Sequence, residues 1–415
     1  MNLMLNWKIN SEFNLALNDD ELHSISEKYL ATINSEDYGF FYLPQNKELV
    51  KEARRVYEKF NKKKHFIHIG IGGSALGAEM LIKALGKKTQ TQFVIINNID
   101  PDDFHQKVSS VDLKESLIYV VSKSGTTAET TAALNIFTEL LKKEGIQESD
   151  FKNYFVFCTD PQNGDLRALS KEWDAEALDI PSNIGGRFSI FTGVGLFPAL
   201  FFGIDVQKLL DGAHEISEQL SSPRTSKDFY QVATFFKDLH DKGFTQTVMM
   251  PYSSLLKEYS AWFTQLWAES LGKNGKGLTP IPAYGATDQH SQVQLFMEGP
   301  NDKVLTLIEV ERFNNDFSLH SSLKGSSSQK LAPYSLSQLM KAELEGTLAA
   351  LAENKRPVIH LKINNLDEYH LGQLILWSEC LTVLVGQLLE VDPFNQPGVE
   401  AGKKYAFEWL ISSGL

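Results

Sequence analysis

The most informative stretch of this sequence is GIGGSALG, at residues 70–77. It follows an apolar run and precedes an amphipathic segment, which predicts a buried strand, a glycine-rich turn and a helix. Such apolar runs alternate with helical patterns, and this alternation predicts a parallel sheet covered by helices on both faces. The predicted strands are residues 65–71, 93–97, 117–122 and 154–159, and the predicted helices are residues 75–85 and 127–143.

A charged, serine-rich segment near residues 205–226 precedes a second series of the same kind. We therefore predict an α/β fold with two α-β-α sandwich domains built on mainly parallel sheets. In the second series, the predicted strands are residues 247–251, 303–310 and 357–363, and the predicted helices are residues 257–271, 371–391 and 399–411. The predicted organisation is a helical N-terminal segment (1–60), a first domain (61–210), a second domain (211–390) and a C-terminal turn and helix (391–415).

Composition narrows the classes of partner. The 415 residues carry a net charge of −12, whereas proteins that bind nucleic acids usually present a basic face. Cys158 and Cys380 lie far apart in apolar surroundings, which predicts buried free thiols in a reducing compartment. The N-terminus lacks a signal-peptide pattern, and the apolar stretch at residues 190–204 is shorter than the ~20 residues of a membrane span. We therefore predict a cytoplasmic protein with neither nucleic acid nor membrane as partner.

The glycine turn at residues 70–77 is a candidate anion site. Glycines let the backbone approach a ligand, and the helix N-terminus supplies N–H groups and a favourable dipole. Gly73 and Ser74 are the candidate ligands, and Ser74 is also a candidate helix N-cap. The same residues satisfy the dinucleotide pattern G-x-G-x-x-A, and Asp100 follows the next predicted strand. A nicotinamide-dependent dehydrogenase therefore remains an alternative at this point.

A second turn, SKSGTTAET at residues 122–130, also joins a predicted strand to a predicted helix. Its hydroxyl groups and the helix N–H groups together suit the oxygens of a phosphate. A dinucleotide fold has no need of this second turn, although an ordinary Ser/Thr cap would give a similar sequence. The candidate phosphate ligands are Ser122, Lys123, Ser124, Thr126 and Thr127.

The second half of the chain supplies candidate acid–base groups. Gln265 and Glu269 share one face of a predicted helix that ends near Gly272. A carboxylate at this end meets the negative pole of the dipole, which favours a basic carboxylate. Arg187 follows two glycines, so its guanidinium is a candidate for binding an anion or stabilising developing negative charge. A surface glutamate and a surface salt bridge are the corresponding ordinary interpretations.

Two further candidates lie in polar segments. His290 stands in the sequence TDQHSQ, and an imidazole that titrates near neutral pH suits general acid–base catalysis. Lys403 follows the rigid turn PFNQPGVE and is a candidate donor to a hydroxyl or ring oxygen. His65 and His68 are three apart on a predicted strand and point to opposite faces, so we predict no metal site there.

Six blocks, in this order, resemble the glucose-6-phosphate isomerase family: GIGGSALG, SKSGTTAET, GGRFS, QLWAESLGK, DQHS and PFNQPGVEAGK. The resemblance implies two sugar-isomerase (SIS) domains and the interconversion of glucose 6-phosphate and fructose 6-phosphate through a cis-enediol, without a cofactor. It also implies a homodimer in which the histidine reaches the neighbouring subunit's site. The implied roles are Glu269 as base, His290 and Lys403 in ring opening, Arg187 beside the enediolate, Ser74, Ser122, Ser124 and Thr127 on the phosphate, and Gln265 and Gln396 on the substrate.

The sequence departs from the family pattern at a few positions. Asn395 and Ala75 stand where aspartate is common, and Ser124-Gly125 replaces the Thr-Phe of longer members. A non-catalytic sugar-phosphate sensor built on the same domains remains a second alternative. Such a module would keep the phosphate turns but would not require Glu269, His290 and Lys403 together.

Overall fold

The computed structural model describes residues 6–9, 17–224 and 226–413. In these ranges the strands are β1 (Asn6–Ile9), β2 (His65–Ile69), β3 (Gln92–Ile96), β4 (Ser116–Val121), β5 (Phe155–Thr159), β6 (Glu176–Asp179), β7 (Gln246–Pro251), β8 (Thr279–Pro282), β9 (Lys303–Arg312) and β10 (Val358–Asn365). The α-helices are α1 (Asp19–Ile33), α2 (Lys47–Phe60), α3 (Leu76–Leu85), α4 (Pro101–Ser109), α5 (Ala128–Lys143), α6 (Asp165–Glu172), α7 (Gly193–Phe201), α8 (Val206–Leu220), α9 (Lys227–Asp241), α10 (Lys257–Leu271), α11 (Val293–Glu298), α12 (Ser326–Leu331), α13 (Leu336–Glu353), α14 (Glu368–Leu388) and α15 (Glu400–Ser412).

The first sheet is fully parallel, with the order β3-β2-β4-β5-β6. The chain passes from β2 to β3 on one side and then to β4 on the other side of β2. This reversal leaves a crevice beyond the carboxyl ends of β2 and β4, where ligands bind in open α/β sheets. The two predicted phosphate turns follow these two strands, so the topology brings them to the same edge.

The second sheet has the order β1-β10-β9-β7-β8, and β1 is the one antiparallel strand. Residues 1–60 were predicted as a helical N-terminal segment, and they contain α1 and α2, but β1 was not predicted; it adds an edge strand to β10. The sequence patterns also missed β6 and β8. Both are four-residue edge strands, and β8 contains two prolines, which an edge strand tolerates because one side of its backbone makes no ladder bonds. The predicted domain boundaries stay predictions.

Alternating residues of the strands enter different cores. In β4, Tyr119 belongs to the largest hydrophobic cluster, whereas its neighbour Ile118 packs on the opposite face with Phe137 of α5. In β9, Ile308 belongs to that same large cluster, whereas Leu307 packs with α13 on the far face. Each sheet is thus covered by apolar contacts on both faces, which confirms the predicted α/β sandwich class.

Helix α14 lies in the interior of the large cluster. It is long and apolar enough to cross a membrane by length and composition, but 89% of its most apolar window is buried inside the protein. A core helix passes the same test. Cys380 of this helix and Cys158 of β5 are buried free thiols, as the sequence predicts.

Candidate active site

Arg187 is the centre of the candidate site. It lies in a short 3-10 turn, Gly186–Phe188, and is only 6% exposed. The five N–H bonds of its guanidinium meet five acceptors, so the side chain is held in one orientation. Burial lowers the pKa of Arg187, and the charge of Glu269 opposes that shift. The acceptors are Ser270 Oγ at 3.1 Å, Glu269 Oε2 at 2.9 Å, Gln396 Oε1 at 2.9 Å, and the carbonyl oxygens of Pro393 at 2.9 Å and Asn395 at 3.2 Å.

Glu269 lies in the last turn of α10, which ends at Leu271 with Gly272 as its C-cap. One carboxylate oxygen accepts from Arg187, and the other accepts from Gln265 Nε2 at 3.0 Å. The side chain of Glu269 remains 32% exposed. A carboxylate has about four lone-pair positions, so two stay available for a ligand. The helix therefore presents an oriented carboxylate with open acceptor positions.

The turn before α15 reaches back to Arg187 through Gln396. Phe394 anchors this turn, since its ring stacks on Tyr38 with centroids 3.7 Å apart and contacts Phe188 and Phe40. The N–H of Phe394 also donates to the carboxylate of Asp392. Aromatic packing therefore fixes the carbonyl oxygens that hold the Arg187 guanidinium.

The GIGGSALG turn packs directly against the Arg187 turn. A Cβ on Gly73 would lie 2.5 Å from the backbone of Gly186, so only glycine permits this approach. Gly72 is equally close to Gln265, because a Cβ there would lie 2.7 Å from its Nε2. Below the turn, the buried His68 ring is 2.7 Å from the carbonyl oxygen of Ser74. Burial lowers the pKa of His68 to about 4, so the neutral ring donates through Nε2.

The suggestion that Ser74 caps a helix is wrong, because the N-cap of α3 is Ala75 and no side chain caps it. At the second turn, the N-cap of α5 is Thr127, whose hydroxyl lies 2.9 Å from Ser122 Oγ instead of capping the helix. The first N–H groups of both helices are therefore free of side-chain caps, which is the arrangement of an anion site.

The remaining residues of the second turn divide into two groups. Ser124 and Thr126 are exposed, and both the N–H and the hydroxyl of Thr126 donate to Ser124 Oγ. Lys123 points away from them, since its Nζ donates to the carbonyl oxygens of Ser182 and Ile184, each at 2.7 Å. Burial lowers the pKa of Lys123. In this structure Lys123 ties the second turn to the loop that leads to Arg187.

The structure does not bring His290 and Lys403 to this centre. His290 is exposed in the 3-10 turn Thr287–His290, and within the described residues it forms no hydrogen bond with the other candidates. Lys403 is exposed on α15 and pairs with Glu400 of the same helix at 2.8 Å. Both side chains face solvent in the single chain.

Comparison with known proteins identifies the family. The family model for phosphoglucose isomerase matches residues 44–297. The chain belongs to the phosphoglucose isomerase family. A glucose-6-phosphate isomerase of Carboxydothermus hydrogenoformans is 37% identical over 409 residues, covering 91% of this chain and 86% of the relative.

Two solved structures resemble this phosphoglucose isomerase family member. A hypothetical protein from Thermus thermophilus is 36% identical with a TM-score of 0.88, covering 94% of each chain. A glucose-6-phosphate isomerase from Chlamydia trachomatis has a TM-score of 0.82 at 22% identity, covering 99% of this chain and 89% of the other, and shows the shared fold. Membership confirms the predicted aldose–ketose isomerase class and favours it over the dehydrogenase.

Sequence reasoning missed three residues that support the site of this family member. Ser270 binds the Nε of Arg187, Lys273 follows the end of α10, and His68 lies beneath the first turn. Ser270 and Lys273 both stand inside the block QLWAESLGK, so their position next to Glu269 was the available signal. His68 had no such signal, because its role depends on the packing of a strand beneath a turn.

Proposed function

We propose that this protein interconverts glucose 6-phosphate and fructose 6-phosphate in the cytoplasm through a cis-enediol, using its own side chains without a cofactor. One observation carries the proposal: Glu269 and Arg187 form a partly buried ion pair, and the Arg187 turn packs against Gly73 in the glycine turn that leads into the uncapped helix α3. The pair supplies a carboxylate to move a proton and a fixed cation beside it. The turns supply the groups that bind a phosphate.

The phosphate is proposed to bind at the N-terminus of α5. The exposed hydroxyls of Ser124 and Thr126 and the uncapped backbone N–H groups converge there. Ser122 and Thr127, joined by their hydroxyls, shape the floor, and Ser74 with the backbone of Gly73 lies on the neighbouring turn. A dianion is favoured at this position by the helix dipole, so a net acidic chain can hold an anionic sugar. Lys123 is proposed to position the turn through its carbonyl contacts.

Glu269 is proposed to take the proton from carbon 2 of the open-chain aldose and return it to carbon 1. The electron pair of the broken C–H bond forms the enediolate, and a second proton moves from the oxygen on carbon 2 to the oxygen on carbon 1 to complete the ketose. Arg187 stabilises the developing negative charge, while Gln265 and Gln396 contact the substrate and hold the two partners of the ion pair. Because proton transfer between adjacent carbons changes no oxidation balance, no external oxidant or reductant is needed.

Ring opening is proposed to use His290 and Lys403. Both are exposed and lie outside the Arg187 centre in the single chain. We propose a homodimer in which His290 completes the site of the neighbouring subunit. Its exposure in the 3-10 turn Thr287–His290 and its lack of a hydrogen bond to the other candidates among the described residues support this arrangement.

The test of the reaction is the conversion of fructose 6-phosphate by purified protein in EDTA, followed by a coupled assay for glucose 6-phosphate. We expect rapid conversion by the parent and a loss in kcat on the order of 10³-fold or more in Glu269→Gln. Glu258→Gln, in the first turn of the same helix, is the matched control and should retain parent activity. A folded parent that binds the sugar phosphate without converting it would instead be a sensor.

The test of the dimer is complementation between two inactive variants. In a mixed dimer of Glu269→Gln and His290→Ala, one of the two sites would contain both wild-type residues if the histidine acts across the interface. Co-refolding the two variants should then restore activity well above that of either alone. If His290 served its own subunit, the mixture would show only the residual activity of the two separate variants. That result would contradict the proposal.

A further inference from the structure

Lys273 joins the end of α10 to the turn that precedes α15. It lies two residues beyond Leu271, where α10 ends, and it is half-buried. Its Nζ donates to the carbonyl oxygen of Ser270 at 2.8 Å and to the carbonyl oxygen of Asp392. The first contact is next to Glu269 in sequence, and the second is next to Pro393, whose carbonyl oxygen holds Arg187. One ammonium group therefore bridges the segments that carry both partners of the ion pair.

We propose that Lys273 is a positioning residue for the isomerisation, which fixes the distance between the Glu269 carboxylate and the acceptors of Arg187. This inference rests on the proposed function of the Glu269 site. The turn at residues 393–396 supplies three of the five acceptors of the guanidinium. Among the hydrogen bonds of the described residues, those that would still join this turn to α10 without Lys273 pass through Arg187 itself.

The contacts of Lys273 require a charged group for full strength, since an ammonium donates stronger hydrogen bonds to carbonyl oxygens than a neutral amine. Three charged groups face it: Arg187 from the 3-10 turn, Asp392 from the turn after α14, and Glu269 from α10. Burial and the positive charge of Arg187 lower the pKa of Lys273 to about 8, although Asp392 and Glu269 oppose the shift. Lys273 is therefore protonated below pH 8 and loses its charge as the pH rises above 8.

Lys276 provides a matched control three residues further on. Its Nζ donates to the carbonyl oxygen of Leu389 at 2.9 Å and to Glu390 at 3.4 Å, so it also ties the segment after α10 to the segment after α14. Its partners precede Asp392 and do not hold Arg187. Removing Lys276 therefore breaks a similar clamp outside the site.

The experiment compares the parent, Lys273→Met, Lys273→Arg and Lys276→Met in the fructose 6-phosphate assay from pH 6 to 10, with thermal melts of each protein. We expect Lys273→Met to lower kcat by about 10- to 100-fold at pH 7, because a displacement of about 1 Å at a reacting group costs rates of this order. KM should change less than kcat, since the phosphate turns are untouched. Lys276→Met should keep parent kcat.

The pH profile separates positioning from a general structural effect. Parent kcat should fall as the pH rises through about 8, whereas Lys273→Arg, which keeps its charge, should hold its activity to higher pH. If Lys273→Met fails to fold, the comparison of the parent with Lys273→Arg still tests whether Lys273 positions the site. An alkaline limb that is identical in both proteins, or equal kcat losses in Lys273→Met and Lys276→Met, would overturn the proposal. An inactive parent would overturn the proposed function itself, so the two failures are distinguishable.

Discussion

The two halves of the candidate site are built in opposite ways. The inner half, Arg187 with Glu269 and Gln265, is partly buried and hydrogen-bonded between core elements. The outer half, His290 and Lys403, is exposed on a short turn and on the terminal helix α15. The fold of one chain therefore positions the groups proposed for proton transfer between carbons, whereas the groups proposed for ring opening require substrate or a second chain. Substitutions in the inner half should therefore lower both the unfolding free energy and the activity, whereas substitutions in the outer half should lower the activity alone.

The largest expected effect is on the inner half. Arg187→Met removes the cation from five acceptors and leaves the Glu269 carboxylate without its charged partner. Arg187 itself is buried, and its loss leaves five acceptors without their donor, so we expect the unfolding free energy to fall by about 3–5 kcal/mol, as when one partner is removed from a buried pair. Urea denaturation measures it. The exposed Arg54→Met is the control, and a loss below about 1 kcal/mol in Arg187→Met would show that the inner half is not held by the guanidinium.

Much of this inner half was predictable from sequence. The glycine turns, the strands before them and the bounds of α10 follow from apolar periodicity and from glycine, so Glu269, Gln265 and Arg187 were recognised as candidates. Lys123 was predicted as a phosphate ligand from its place among hydroxyls, yet its Nζ binds carbonyl oxygens of another loop. The direction of a long side chain depends on which loop packs beside it, and this information is not local in sequence.

The remaining differences in the fold have similar causes. Strand β1 was absent from the sequence interpretation because its pairing with β10 joins residues about 350 positions apart, and four residues carry little periodicity. From the sequence, His68 was considered only as a metal ligand and rejected. Its supporting role could not be predicted, because its partner is a backbone carbonyl oxygen in the following turn. Local pattern thus predicts the elements that carry the chemistry, whereas tertiary contacts decide the residues that support them.

The second effect concerns His68 and is a pH dependence. Its pKa of about 4 in the folded protein lies below the ordinary histidine value of 6.5, so the unfolded chain binds the additional proton between these values. The contribution of the neutral His68 ring to the unfolding free energy is therefore fully present above pH 6.5. It is lost as the pH drops towards 4, by about 3 kcal/mol in total at 1.36 kcal/mol per pH unit. Urea titrations from pH 7.5 to 4 should show a smaller decline in His68→Phe. His65→Phe on the same strand is the control, and equal declines in the parent and His68→Phe would exclude this role.

A third and smaller effect tests the contact between the two inner turns. Gly73→Ala places a Cβ 2.5 Å from the backbone of Gly186, so the turns must separate. Overpacking of this kind costs about 1–3 kcal/mol, and kcat should fall as well because Arg187 follows Gly186. Gly186→Ala is the control, since a Cβ there meets nothing within 4 Å. Equal melting temperatures and equal kcat in the two variants would show that the contact does not hold the inner half together.

The smallest effect on stability belongs to Lys403. Its pair with Glu400 is exposed, and such pairs contribute about 0–1 kcal/mol, so Lys403→Met should leave the unfolding free energy within about 0.5 kcal/mol of the parent. If Lys403 assists ring opening, kcat should nevertheless fall about 10- to 100-fold. Lys404→Met is the matched control, because Lys404 is also exposed on α15 and pairs with Glu408 at 3.7 Å. Loss of activity without loss of stability in Lys403→Met alone would show that Lys403 contributes to the reaction although it is exposed in the single chain. Parent activity in both variants would remove Lys403 from the site.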